Sequence, residues 1–75
     1  MYIKNIINAI SDLADNEVLL VNYRSGKQSK VLPSDKYHNQ NGDLIITRHL
    51  KLSRCVVYID CAEVESLIIH KGEEL

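Results

Sequence analysis

Four short stretches of this chain, residues 18–21 (VLLV), 44–47 (LIIT), 56–59 (VVYI) and 67–69 (LII), are apolar, or nearly so, at consecutive positions. A strand with one face in water alternates apolar and polar residues, because successive side chains point to opposite faces; consecutive apolar residues need cover on both. The chain has 75 residues, of which 24 are Ile, Leu or Val and none is Phe or Trp. A domain this short buries only about 60% of its unfolded surface. Either the strands close on one another with a helix as lid, or a second subunit supplies the missing cover. Self-association to at least a dimer is therefore expected.

The helix is legible. In YIKNIINAISDLA, Ile3, Ile6, Ile7, Ile10, Leu13 and Ala14 recur at helical spacing with polar residues between them, which predicts an amphipathic helix over about residues 2–14. Asn16 is the expected stop, in the left-handed conformation that closes helices. Strands are expected at about 17–24 and 28–32, joined around Ser25-Gly26-Lys27 with Gly26 at positive φ, then at about 43–50, 54–60 and 65–71. The polar run PSDKYHNQNG reads as the longest loop, with Asn41-Gly42 as a turn pair, and the tail GEEL reads as frayed. The fold class is α+β, mainly β, in one domain. An N-terminal amphipathic helix precedes a five-stranded, strongly bent antiparallel sheet or small barrel.

A helix ahead of five short strands, with VVYIDCAEVESLII as a strand, tight turn and strand, resembles the Sm-like and SH3-like small barrels. The resemblance implies a closed barrel with the helix against it. Sm-like proteins usually carry a glycine-containing motif in the last turn, where this chain has Ile59-Asp60-Cys61-Ala62, so no functional residue is carried over. The alternative is another α+β sheet with the helix packed on one face.

Little points to catalysis or metal. His49, Cys55, Cys61 and His70 are spaced six, six and nine apart, without the close pairs of structural zinc sites. Two cysteines six residues apart in extended chain lie roughly 20 Å from each other, beyond disulfide reach. Both read as packing residues, and Asp60 as the group that ends a strand and accepts turn N–H bonds. Around Ser25-Gly26-Lys27 the earlier glycine of a phosphate loop is Val21, and Gln28 replaces its hydroxyl residue. His38 and His49 have no third group to orient them, so no enzyme, cofactor or metal is expected. Lys4, Asp12, Asp15 and Glu17 interrupt the first 21 residues, which points to neither a leader nor a membrane span and suggests a cytoplasmic protein.

Charge carries the most functional content. From residue 22 to 54, Arg24, Lys27, Lys30, Lys36, Arg48, Lys51 and Arg54 stand against Asp35 and Asp43, giving +5, while both ends are acidic and the total is −1. Arg24, Lys27, Lys30, Arg48, Lys51 and Arg54 are the candidate contacts to an anionic partner, with Tyr23, Tyr37 and His38 available for stacking. RNA, a nucleotide or an acidic protein surface would each fit, although a pI near 6.3 argues against non-specific duplex binding. The rival reading is a regulatory or inhibitory protein–protein adaptor with no nucleic-acid or nucleotide role.

Overall fold

The computed structural model describes residues 1–71; the tail read as frayed lies outside the described residues. Helix α1 spans Ile3–Ser11. The strands are β1 (Glu17–Tyr23), β2 (Gln28–Val31), β3 (Lys36–Gln40), β4 (Asp43–His49), β5 (Arg54–Ile59) and β6 (Val64–Lys71), with a 3-10 turn at Cys61–Glu63 before β6.

The helix ends earlier than its apolar stripe suggests. Asp12, at right-handed φ and ψ, donates its N–H to the Asn8 carbonyl. The chain then turns back through a reciprocal pair: Ala14 N–H donates to the Glu17 carboxylate at 2.8 Å, and Glu17 N–H to the Ala14 carbonyl at 3.0 Å. Asn16 is not in the left-handed region; among the non-glycine residues described, only Asn41 is. Ile6 and Ile10 are buried, and Ile3, Ile7, Ala9 and Leu13 pack against the core.

Six antiparallel strands form two three-stranded sheets, ordered β2-β1-β6 and β3-β4-β5. This corrects the expectation of a five-stranded bent sheet or barrel: among the described residues no barrel closes, and β5 and β6 are both edge strands. The extra strand is β3, inside the segment read as a loop. Its five residues are all exposed, so no apolar alternation marks them. Pairing to β4 and the two-residue turn at Asn41 (φ 54°) and Gly42 (φ 88°) create it, since two consecutive positive φ values suit the twist of a tight hairpin. Gly42 N–H also donates to the Asn39 side-chain oxygen at 3.0 Å. At the first hairpin Gly26 has φ 87°, as its turn requires.

The two sheets enclose one aliphatic core. Leu19, Val21 and Val31 come from the first, Leu44, Ile46 and Ile59 from the second, and Ile6 and Ile10 close it from α1. Cys61 joins the core from the short link between β5 and β6, and Val64 from the start of β6. Central strand β1 buries Val18, Leu19, Leu20 and Val21, so its consecutive apolar run is covered on both faces within one chain. Edge strands fare differently: Val56 is 54% exposed, Tyr58 56%, Ile68 44% and Ile69 48%.

The cysteines separate along the same lines. Cys61 is buried and its thiol is held above the usual range, first by burial and then by the nearby Asp43 charge, whereas Cys55 is exposed on β5. The packing reading holds for Cys61 and fails for Cys55. A maleimide at neutral pH is expected to label Cys55 rapidly and Cys61 only after unfolding. Cys61→Ala should cost about 1 kcal/mol and Cys55→Ala less than about 0.5 kcal/mol in urea melts. Equal labelling rates would refute the assignment.

Candidate partner-binding surface

The six cations do not converge. Arg24 and Lys27 lie at the β1–β2 turn, where Arg24 N–H donates to the Glu63 carbonyl at 3.0 Å, so this end abuts the 3-10 turn. Lys51 lies in the β4–β5 turn, at the far end of the second sheet, with Arg54 opposite His49. The length of β5, roughly 17 Å at the ordinary strand rise, separates that end from the 3-10 turn. Lys30 pairs with Leu20 on the outward face of the first sheet. Hairpin turns on different sheets, pointing to opposite ends, cannot sum their fields at one place.

Arg48 is already engaged. Its Nε donates to Asp35 Oδ1 at 3.0 Å, and its Nη2 donates to Asp35 Oδ2 at 2.9 Å and to the Lys30 carbonyl at 3.0 Å. The Asp35 side chain is 1% exposed, and its Oδ2 also accepts the Leu32 N–H at 2.8 Å. The hydrogen bond to Asp35 raises the guanidinium's pKa, and burial opposes it. Lys30 belongs to β2 and Arg48 to β4, so this cluster ties one sheet to the other at the turn of residues 32–35. Arg48 is a structural tie, not a free cation.

Two of the three aromatic candidates are also committed. The Tyr23 hydroxyl lies 2.9 Å from Ser29 Oγ and its ring packs against the core. Tyr37 is paired with core residue Ile46 and its hydroxyl lies 3.4 Å from Ser11 Oγ at the end of α1. His38 alone is outward, opposite Ile45.

The open surface is the outer face of β3-β4-β5. Its register places Lys36, Thr47 and Val56 in one row, His38, Ile45 and Tyr58 in the next, and His49 beside Arg54 at the end. The adjoining turn adds Lys51, Leu50 at 52% exposed and Leu52 at 96%. Tyr58 donates its hydroxyl to Asp43, two residues along β4 from its direct partner, which lays the phenol across the sheet. Asp43 Oδ1 also accepts the Cys61 N–H at 3.2 Å.

That bond to Asp43, ahead of burial, pushes the Tyr58 pKa from 10.0 up to about 12. The folded state thus favours the neutral phenol: the contribution is fully present below pH 10 and is lost as pH rises from there to about 12. Asp60, as expected, accepts the Ala62 N–H at 3.2 Å and starts the 3-10 turn. Ile45, Val56 and Tyr58 lie in the apolar runs singled out in the sequence but do not read as a surface there, because a strand's apolar residues give no sign of which face the core will take; Leu50 and Leu52, in the turn, are singled out by nothing in the sequence.

Among the described residues there is no cavity, no cluster of three or more His, Cys, Asp or Glu able to hold a metal ion, and no helix long and apolar enough to cross a membrane. The fold and surface define a small, mainly β domain with an N-terminal helix and open sheet surfaces. Comparison of the chain with protein-family models, curated proteins and solved structures finds no match in any of the three.

Proposed function

We propose that this protein is a non-enzymatic binding module that engages an acidic protein surface through the outer face of β3-β4-β5 and the adjoining β4–β5 turn. The observation that supports this reading is the mixture on one surface of exposed apolar groups (Leu50, Leu52, Val56, Tyr58) with the cations Lys36, Lys51 and Arg54. Tyrosine and arginine beside aliphatic groups are the usual energetic centres of protein interfaces, and rim cations speed approach to an acidic partner. RNA fits less well. Aliphatic residues add nothing to phosphate contacts, the one tyrosine on the face is tethered to the acid Asp43, and the protein's net charge is −1.

The test is calorimetry at two salt concentrations with three probes: a peptide alternating Glu and Asp with Leu and Phe, a short single-stranded RNA, and ATP. The peptide should bind. Lys36→Ala/Arg54→Ala should weaken it roughly tenfold and flatten its salt dependence, and Tyr58→Ala should cost more than about 1 kcal/mol. Arg24→Ala/Lys27→Ala, at the other end, should be silent. Binding of RNA or ATP but not peptide, or loss of peptide binding in the Arg24/Lys27 variant alone, would refute the proposal.

A further inference from the structure

We infer that two copies of this chain join edge to edge through β6, antiparallel, about a two-fold axis at Ile68. Strand β6 has eight residues and pairs with β1 on one side only; among the described residues nothing pairs with its other side. Ile68 and Ile69 are both substantially exposed there, on opposite faces. A long edge strand with apolar residues on both faces is a template for another strand.

The free backbone groups can be assigned. Tyr23 N–H donates to the Lys27 carbonyl at 3.0 Å. Because antiparallel pairs alternate, the odd residues of β1 direct their backbone groups at β2, and the even ones direct theirs at β6. Val18, Leu20 and Asn22 thus use the backbone groups of His70, Ile68 and Ser66. The N–H and C=O of Leu67, Ile69 and Lys71 point out from the free edge. Glu65 is the extra residue of a bulge, between Ser66, paired with Asn22, and Val64, paired with Tyr23.

Pairing through those outward groups restricts the axis to a residue of β6, and side chains choose among them. An axis at Leu67 would set Glu65 against Ile69 of the second copy, and one at Ile69 would set Lys71 against Leu67. Axes at Ser66 or His70 likewise oppose a charge to an apolar side chain. With the axis at Ile68, Leu67 faces Ile69 and Glu65 faces Lys71, each twice by symmetry, and Ile68 faces itself once on the axis. Both charged residues are exposed, so the ionic pairs form at a wet rim, where they select register more than they add affinity.

Strand β5 offers the other long free edge, but the acid that would answer Arg54, Asp60, lies beyond the strand end and already caps the 3-10 turn. The inference concerns the other sheet from the proposed partner surface, so either can fail alone.

Sedimentation equilibrium should give a particle of twice 8.6 kDa at micromolar concentration. Glu65→Lys and Lys71→Glu, which oppose like charges, should each weaken the dimer roughly tenfold, and the charge-swapped double variant should restore it. Ile68 pairs with itself at a non-hydrogen-bonded position, where Cα atoms lie about 4.5 Å apart, within disulfide range. In a Cys55→Ala background, Ile68→Cys should therefore oxidise to a covalent dimer and Ile69→Cys should not. A monomer throughout, an assembly larger than two, a swap that fails to restore, or cross-linking that is equal at both positions would each overturn the inference.

Discussion

Arg48→Ala is expected to lower stability by about 2–3 kcal/mol, because it leaves a buried carboxylate with one backbone partner. Asp35 loses the two hydrogen bonds donated by the guanidinium and keeps the one from the Leu32 N–H. The third bond, to the Lys30 carbonyl, is lost from β2. Arg48 is a quarter exposed, so water replaces part of what is removed and the cost stays below that of a fully buried pair. For a domain of this size the loss corresponds to a fall in Tm on the order of 10–20 °C. The double variant Arg48→Ala/Asp35→Ala should cost less than the sum of the singles, since it removes the stranded charge along with its partner. Urea melts of the four proteins measure this, and strict additivity would show that the two sheets are not tied here. Arg48 variants are consequently poor probes of ligand binding, because they weaken the tie between the sheets together with any change at the surface.

Ile46→Ala should be the most damaging single truncation, at about 3–4 kcal/mol, through lost burial and the cavity left behind. Ile46 is fully buried at the middle of central strand β4, between Tyr37 and Val57. Stability of roughly 4–11 kcal/mol is expected at this length, so the change removes about a quarter of it or more. Val56→Ala, one row along on the opposite face of the same sheet, should stay within about 0.5 kcal/mol. Denaturant midpoints for the two variants therefore test which face is the core. Equal costs would mean that the outer face is covered, and the surface proposed for an acidic partner would then be unavailable.

The candidate site was legible only in fragments. Lys51 and Arg54 were readable as cations near a turn, and His38 as a polar residue, and all three lie on or beside the open face. Arg48 was indistinguishable from them in sequence, because its engagement depends on Asp35, 13 residues away, and on a carbonyl 18 residues away. Tyr23 and Tyr37 look as free as Tyr58 until the fold packs the Tyr23 ring against the core and brings the Tyr37 hydroxyl to Ser11.

What the amino-acid sequence determined by itself was local. The isoleucine stripe makes α1 amphipathic, Gly26 and Asn41-Gly42 permit the positive φ values of their turns, Asp60 caps the turn before β6, and residues 18–21 require burial on both sides. Each of these is decided by a residue's own conformational range or its near neighbours. Tertiary structure alone decided that β3 is a strand, since five exposed polar residues gain their order from hydrogen bonds to β4 and not from apolar burial. It also decided that the chain crosses between two sheets at residues 32–35, where Asp35 gathers bonds from Leu32 and from Arg48. Strand pairing and ion pairing act between residues far apart in sequence, and the partner each group finds is set by the packing of the whole chain.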